Sequence, residues 1–540
     1  MFAVATLVLP LAGLIIPLVV AAAEPALPRV YIDSTYVSPT GKTIAVAAGG
    51  NFQAALVAAR PGDVITLAAG ATYRGPFTLP KKPGAGWITV RTSGPDSSLP
   101  PGTRVTPAHA ALMPKLVAAS GSVITTAAGA HHYRFIGMEV SPAPGVFLYN
   151  LITLASPDGS AAGLPHDIIF DRSYLHGDPA KGTRRGIALN SGATAVIDSH
   201  LAAFKEVGAD SQAICGWNGP GPFKIVNSYL EGAGENVMFG GADPSIYGLV
   251  PSDIEIRRNH FAKPLTWKIG HPEYAGIPWS VKNLFELKNA QRVLVEGNLF
   301  ERNWAHAQVG FAIVLKSVNQ DGKAPWSITQ DIDFKNNAVR HSGSAVNILS
   351  RDTTWPSGSQ QARRIAIRNN LFTDIGGPEW RGDGRLFQLL EGVADVVIEH
   401  NTAFQTGPII MAEGAPNTGF VYRHNITLHN EYGVKGTGSG VGIPTLVRYF
   451  PGAVFEGNVL MGQPTFSSLY PPGNYFPPTL GAVGFSDLAA GDYRLAPSSP
   501  YKRRASSGGD IGVDIAALDL ALGGLVPTHQ KTPPVLGRER

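Results

Sequence analysis

Residues 292–300 read RVLVEGNLF: apolar and polar residues alternate, and the asparagine at position 298 precedes two further hydrophobic residues. The same pattern recurs along the chain at intervals of 24 to 39 residues, with asparagine or serine at the equivalent place. Alternation is typical of a strand, and a repeat of this length is typical of a solenoid of short strands and turns. The recurring positions are Ser173, Ser199, Ser228, Asn259, Asn298, Asn337, Asn370, Asn401, Asn425 and Asn458.

A repeating unit of this kind cannot bury its own apolar face, so each coil must stack on the next and build one continuous core. A second strand follows in each coil, as in FAIVLKS at 311–317. The sequence therefore predicts an all-β parallel β-helix. The asparagine row is predicted to be structural, because a side-chain amide at a turn can bond to its neighbours in the coils above and below.

Composition agrees with one large repetitive domain. The 540 residues include 63 Gly and 43 Pro, which makes the chain rich in turns, and 44% of the residues are hydrophobic, enough to build a large core. The net charge is +4 without a dense basic tract, so we expect no nucleic-acid partner. The single cysteine, Cys215, excludes an intramolecular disulfide framework and a cysteine zinc cage.

The N-terminus is predicted to be an export signal over residues 1–23. Residues 3–22 carry no charge and lead into small residues at 21–23, as at a signal cleavage site. No Lys or Arg precedes the apolar run, and Pro10 and Pro17 interrupt it, which leaves an uncleaved anchor as the alternative. We expect a bacterial protein that is secreted or periplasmic, and that has no membrane contact once the signal is removed.

Two terminal stretches resemble a known family. NFQAALVAARPGDVITLAAGATYRGPF, from residue 51, reads as an amphipathic helix near 51–60 followed by a strand, and GDYRLAPSSP with GGDIGVD lies near the other end. They resemble the N-terminal cap and the closing segment of secreted right-handed parallel β-helix proteins of the pectate-lyase-like superfamily. The resemblance implies a right-handed β-helix over 24–475, closed by a segment over 476–540. It also implies a polysaccharide site on an exposed sheet and its flanking loops.

Aligning the inward hydrophobic residues of successive coils places polar side chains on one outer face. Lys288 and Lys316 fall at equivalent places on neighbouring coils, where mutual repulsion is predicted to favour a neutral amine on one of them. The outward set is Asn190, Glu286, Lys288, Lys316, Asn347 and Gln388. Turns just before these strands add Arg185, Gln212, Glu235, Lys282, His306, Gln308 and Arg385, and the aromatic residues expected to stack on sugar rings include Trp217 and Trp304.

The leading hypothesis is β-elimination on an extended acidic polysaccharide. Lys288 or Lys316 is predicted to be the base, Arg185 to neutralise the uronate carboxylate and His306 to donate a proton. Glu235 and Glu286 are predicted to be Ca²⁺ ligands. We expect a monomer, and the residues assigned to substrate binding are Asn190, Gln212, Trp217, Lys282, Trp304, Gln308, Asn347, Arg385 and Gln388.

Three alternatives stay open at this point. In the first, Glu286, Lys288 and Lys316 form a solvated ladder of opposite charges on a sheet face and have no catalytic role. In the second, the protein is a non-catalytic carbohydrate-binding protein or surface scaffold. In the third, it is a glycoside hydrolase that uses two carboxylates. The adjacent His131 and His132 are predicted to point to opposite sides of a strand, which argues against a shared metal.

Overall fold

The computed structural model describes residues 22–525. These residues form a right-handed parallel β-helix whose coils each contribute one strand to a first, a second and a third sheet, in that order. The three sheets have 14, 13 and 12 strands, and every pairing within them is parallel between strands of successive coils. The predicted fold class is confirmed. The predicted export signal lies almost wholly in residues 1–21, outside the described residues.

The strands of the first sheet are Thr43–Val46, Val64–Leu67, Ile88–Thr92, His131–Ile136, His166–Asp171, Gly192–Ile197, Gly221–Val226, Ser252–Arg257, Ala290–Glu296, Thr329–Lys335, Arg363–Arg368, Ala394–Glu399, Thr418–Arg423 and Val454–Glu456. Those of the second sheet are Thr72–Arg74, Lys115–Ala118, Glu139–Pro142, Tyr174–His176, His200–Phe204, Tyr229–Gly232, His260–Ala262, Leu299–Asn303, Ala338–Ser342, Leu371–Ile375, Thr402–Gln405, Ile426–Leu428 and Val459–Met461. Those of the third sheet are Phe77–Leu79, Ile124–Thr126, Asn150–Leu154, Arg185–Leu189, Gln212–Gly216, Glu235–Phe239, Asn283–Leu287, Phe311–Lys316, Ser344–Leu349, Phe387–Leu390, Ile410–Glu413 and Val434–Gly436.

Short helices and one hairpin complete the described chain. The α-helices are Phe52–Ala58, Ile443–Tyr449, Leu480–Val483 and Ile515–Leu522, and the 3-10 helices are Asp96–Ser98, Pro107–Leu112, Leu265–Trp267, Pro464–Leu469 and Leu488–Ala490. Strands Phe485–Asp487 and Asp492–Leu495 form an antiparallel pair. No helix between residues 22 and 525 combines the length and the apolar character needed to cross a bilayer.

The first helix covers the N-terminal end of the core. Asn51 caps it by accepting the N–H of Ala54, and Phe52 and Leu56 are buried against the first coils. The ring of Phe52 packs edge-on against that of Phe77 in the third sheet. A helix at this place shields the apolar interior that an open solenoid end would expose to water.

The asparagine row lies at the turn between the first and second sheets. The backbone N–H of Asn298 donates to Oδ1 of Asn337 at 2.9 Å, and its own Oδ1 accepts the N–H of Asn259 at the same distance. Each of these side chains is fully buried, and its amide forms hydrogen bonds with neighbouring coils. The row also continues one step further than the repeat predicts, because Oδ1 of Asn474 accepts the N–H of Asn458.

The N-terminal segment crosses the outer face of the first sheet. The N–H groups of Ala23, Ala26 and Arg29 donate to Asp395, Asp331 and Asp253 in turn. These aspartates lie on alternate coils, so three residues of the segment span two coils. An extended polyproline-like chain rises about 3.1 Å per residue, which matches two strand spacings of about 4.8 Å.

Candidate functional site

A row of polar side chains crosses four coils at the start of the third-sheet strands. The register pairs Arg185 with Gln212, Gln212 with Glu235, and Glu235 with Asn283. Nε of Arg185 donates to Oε1 of Gln212 at 3.1 Å, and Nε2 of Gln212 donates to Oε2 of Glu235 at 2.7 Å. The row is therefore one connected hydrogen-bond chain from a guanidinium to a buried carboxylate.

A second group of charged side chains is centred on Glu286, which lies on the same strand as Asn283 and three residues after it. Nδ2 of Asn283 donates to Oε2 of Glu286 at 2.8 Å, while Nζ of Lys316 lies 2.8 Å and Nζ of Lys288 lies 3.7 Å from Oε1. The register pairs Leu287 with Leu315, which makes Lys288 and Lys316 neighbours on successive coils. One carboxylate thus serves two ammonium groups.

The charges in this group stabilise one another. Burial by itself would raise the pKa of Glu286, but Lys316 and Lys288 outweigh it and lower that pKa to about 2. Burial likewise disfavours the ammonium of Lys288, yet Glu286 and Glu235 raise its pKa above the ordinary lysine value. The neutral amine predicted on one of the two lysines therefore does not fall on Lys288, because Glu286 lies between the two.

Glu235 has the opposite character. Burial, together with the negative charges of Glu286 and Asp210, raises its pKa to about 7. Nζ of Lys282 lies 3.8 Å from Oε1 of Glu235 and 2.5 Å from Oδ1 of Asp210, so this lysine divides its charge between the two. Oε1 of Glu235 is buried without a hydrogen-bond partner. The carboxyl of Glu235 can therefore exchange a proton near neutral pH.

The site is layered, with its carboxylates behind its cations. The side chains of Glu235 and Glu286 are 0% exposed, whereas those of Lys316, Lys282 and Lys288 are 21%, 17% and 12% exposed. In front of the two buried glutamates, solvent meets the ammonium ends of the lysines and the carboxylate of Asp210, which is 37% exposed and pairs with Lys282. Around Lys288 and Lys316 this face presents positive charge to a ligand, although the negative charge of Glu286 lies beneath it.

Aromatic rings flank the guanidinium end of the row. The guanidinium of Arg185 lies 5.3 Å from the ring centre of Trp217 and 5.1 Å from that of Tyr149, and that of Arg184 lies 4.3 Å from Tyr149. Trp217 is half-buried and Tyr149 is exposed, so both rings have a free surface. Sequence reasoning missed Tyr149; the paired arginines at 184 and 185 were the available signal, since guanidinium groups stack on aromatic faces.

Trp304 is placed differently from the prediction. It is 2% exposed and packs with Trp267, Trp279 and Trp380 in a satellite core beside the third sheet. The ammonium of Lys205 lies 4.7 Å from the ring centre of Trp279. Trp304 therefore holds loops from several coils together and offers no face to a sugar, because the loops that cover it come from distant parts of the chain.

Asn190 also serves the fold. It is buried, and its Oδ1 accepts the backbone N–H groups of Trp217 at 2.9 Å and Asn218 at 2.8 Å. The side chain closes the turn that leads from the third sheet back to the first. It positions Trp217 and is not available to a ligand as the sequence predicts.

His306 and Gln308 lie together on the turn before strand Phe311–Lys316. Nδ1 of His306 accepts the N–H of Val281 at 3.3 Å, and the carbonyl of Gln308 accepts the N–H of His306 at 2.9 Å. Because Nδ1 accepts a hydrogen bond, the neutral ring carries its proton on Nε2. The His306 side chain is exposed, so that N–H is available as a donor.

The remaining predicted residues extend the outer face by two coils. Along the row of Glu286, the register continues through Val314 to Asn347 and Gln388. Nη1 of Arg385 donates to Oε1 of Gln388 at 3.0 Å, and Arg385 also pairs with Asp383. The apolar Val314 separates this second polar patch from the lysines.

The Ca²⁺ site at Glu235 and Glu286 stays a prediction that these contacts disfavour. Calcium takes six to eight oxygen ligands, whereas here three lysine ammonium groups and a Gln212 amide already contact the two carboxylates. Lysine charge takes the place that a divalent cation would fill.

Comparisons with known proteins give likeness of fold. No protein-family model and no curated protein matches the chain. Among solved structures, the catalytic unit of a thermostable GH87 alpha-1,3-glucanase from Streptomyces thermodiastaticus is 13% identical with a TM-score of 0.50, and the match covers 83% of this chain and 72% of that one. An alginate lyase from a Paenibacillus species is 14% identical with a TM-score of 0.33, covering 73% and 97%. The PL6 family alginate lyase AlyGC is 14% identical with a TM-score of 0.43, covering 91% and 59%. At these identities the similarity concerns the β-helix alone.

Proposed function

We propose that the outer face of the third sheet binds an acidic polysaccharide and cleaves it by β-elimination. One observation carries the proposal: the cations of Lys288, Lys316 and Lys282 lie in front of the buried carboxylates of Glu235 and Glu286. A polymer of uronic acids would meet ammonium groups along a rigid sheet. The alpha-1,3-glucanase that shares the fold acts on a polysaccharide, which is consistent with a polysaccharide substrate.

The elimination needs a cation at the uronate carboxylate, a base for the neighbouring carbon-bound proton and a proton for the leaving oxygen. Lys288, whose charge Glu286 and Glu235 favour, takes the carboxylate together with Arg185. Lys316, the most exposed lysine of the group, is the base in its neutral form. Nε2–H of His306 donates a hydrogen bond to the leaving oxygen, which takes its proton from solvent.

The decisive experiment detects the unsaturated product. Pectin, alginate and glycosaminoglycans would each be incubated with the purified protein, with and without Ca²⁺, and new ultraviolet absorbance recorded. On the polymer that responds, K316A should lose at least about 100-fold in rate, the scale of a general base. K335A is the matched control, because Lys335 is an ion-paired lysine of the first sheet, 3.0 Å from Asp333. Equal rates for K316A and the wild type would overturn the assignment of the base.

A second candidate, glycoside hydrolysis, is favoured by a different observation. The pKa values of Glu235 and Glu286 are driven apart, to about 7 and about 2, which is the pattern of a general acid beside an ionised carboxylate. The same screen separates the two reactions. New reducing ends without new absorbance indicate hydrolysis, and retention of a polymer without any product indicates a non-catalytic binding protein.

We further propose that the protein acts outside the cytoplasm, where a long polymer can contact the whole length of the solenoid. We propose that it acts as a monomer.

A further inference from the structure

Two histidines at the start of a first-sheet strand do not alternate as a strand requires. The backbone of His132 is left-handed, with φ of 59°, and so is that of Asp167 in the next coil, with φ of 52°. This conformation is uncommon for residues other than glycine, and it turns the side chain out of the regular alternation. Nδ1 of His131 consequently lies 2.7 Å from Nδ1 of His132. The prediction that these rings point to opposite sides is wrong.

The next coil adds an imidazole and a carboxylate to the same place. His166 is the register partner of His131, and their rings stack with centres 4.9 Å apart. Nδ1 of His166 lies 2.6 Å from Oδ2 of Asp167. One ligand atom each from His132, His166 and Asp167 lie within 4.8 Å of one another. Two nitrogen donors and one oxygen donor therefore converge from two adjacent coils.

Two aspartates at positions equivalent to Asp167 in later coils of the first sheet have different partners. Asp253 and Asp331 each pair with a guanidinium of the next coil, Arg292 at 2.7 Å and Arg364 at 2.6 Å. In the part of the chain that the structure describes, no arginine or lysine forms an ion pair with Asp167. In the next coil the equivalent left-handed residue is Ala193, which offers Asp167 no cation, and the imidazoles lie on the coil of Asp167 and on the preceding one.

The group is open to solvent and supported from one side. The three side chains are half-buried, and a cavity of about 490 Å³ lies beside them, lined in part by Lys81, His131, Leu164, His166 and Gly192. The ring of Trp87 packs edge-on against His132, with centres 5.3 Å apart. A small solute can therefore reach His166 from the cavity, while the half-buried His132 and Asp167 keep part of their surface in solvent.

We propose that His132, His166 and Asp167 form a binding site for a transition-metal cation, Zn²⁺ in the first instance. Imidazole nitrogen with a single carboxylate suits Zn²⁺, Cu²⁺ and Ni²⁺, whereas Ca²⁺ and Mg²⁺ need mainly oxygen donors. Three protein ligands leave the fourth coordination position to water or to an exogenous ligand. The site belongs to the first sheet and is separate from the lysine face of the third sheet.

The test is calorimetric titration of Zn²⁺ into the full chain without an affinity tag. We expect one equivalent of Zn²⁺ per chain and no binding of Ca²⁺. H166A and the nearly isosteric D167N should each weaken the affinity by at least about tenfold. H271A is the matched control, because Nδ1 of His271 accepts the N–H of Glu273 in a remote loop. Circular dichroism of every variant checks that the fold is kept.

Fluorescence gives an independent readout. Cu²⁺ bound at His132 should quench Trp87, one of eight tryptophans in the chain, and the quenching should be lost in H166A and in W87F. Absence of Zn²⁺ binding by the folded wild type, equal loss in H271A and H166A, or Ca²⁺ binding as tight as Zn²⁺ would each overturn the proposal. Loss confined to H166A and D167N, with quenching that depends on Trp87, supports it.

Discussion

Two faces of the same solenoid carry charge, and they use it differently. On the first sheet, Arg292 and Arg364 each make two hydrogen bonds to one aspartate of the preceding coil, Asp253 and Asp331. On the third sheet, the single carboxylate of Glu286 is shared by two lysines. The first arrangement balances each charge locally, whereas the second leaves an excess of positive charge at the surface.

We interpret the difference as one between structural charge on the first sheet and charge that serves the proposed site on the third. The N-terminal segment lies on the first face, where the aspartates accept the N–H groups of Ala26 and Arg29, so that face is already occupied by the chain itself. The face of the third sheet is uncovered at Lys316, and it carries the two carboxylates with strongly displaced pKa values. Perturbed ionisable groups on an accessible face are typical of a functional site.

The largest expected effect is on the carboxylate that holds the lysines. E286Q leaves two poorly hydrated ammonium groups without their anion, and breaking a buried pair in this way costs about 3–5 kcal/mol of unfolding free energy. The equivalent change on the first face, D331N, should cost about 1 kcal/mol, because only one cation loses its anion and Nη2 of Arg364 keeps its hydrogen bond to Oε1 of Gln330 at 2.8 Å. Urea unfolding of both variants measures the two losses.

Equal losses in E286Q and D331N would contradict the distinction between the two faces. Retention of the Asn283 hydrogen bond is expected in E286Q, since a glutamine can place its amide oxygen where Oε2 lies. The measured difference therefore reports the lost charge.

A smaller effect concerns the pH dependence of stability. The pKa of Glu235 is about 7 in the folded protein and near 4.3 in an unfolded chain, so between these values the folded state binds the extra proton. Stability should then fall as pH rises from about 4.3 to about 7, by up to ~1.4 kcal/mol per pH unit from this group, and stay level above. E235Q removes the titrating group and keeps an acceptor for Gln212. Its unfolding free energy, measured at pH 5 and pH 8, should change less than that of the wild type; a steeper change would refute the raised pKa.

The smallest effect tests the segment that covers the first face. A26P removes the N–H that Ala26 donates to Asp331 at 3.0 Å, while proline suits an extended polyproline-like chain. We expect a loss of about 1 kcal/mol or less in thermal unfolding, the worth of one hydrogen bond. Enzyme activity should be unchanged, because the third sheet is untouched. A loss of activity in A26P would show that the two faces are coupled.

The sequence pattern within each coil was enough to predict the features that recur from coil to coil. The alternation around Asn298 and Asn337 located the turn row, and alignment of Leu287 with Leu315 made Lys288 and Lys316 neighbours. Both depend on period-two geometry and on the regular stacking of coils, which a single sequence encodes directly. The repeat did not predict Asn474, because it follows Asn458 by only 16 residues and the other intervals are 24 to 39 residues.

Features that depend on long loops and irregular backbone were not predictable. The burial of Trp304 depends on contacts with Trp267 and Trp380, which arrive from other coils. The charged state of Lys288 depends on the position of Glu286 between two lysines, whereas only the lysines entered the prediction. The left-handed residue at His132 inverted the expected direction of a side chain, because alternation assumes extended backbone.

We propose that the third-sheet face, and not the first, binds an acidic polymer. Electrophoresis through gels containing alginate or polygalacturonate, with neutral dextran as the reference, measures it directly. We predict retardation of the wild type by an acidic polymer, loss of that retardation in K288A/K316A, and its retention in R292A/R364A, which removes the same number of cations from the first face. Retardation that survives in K288A/K316A and disappears in R292A/R364A would contradict the account.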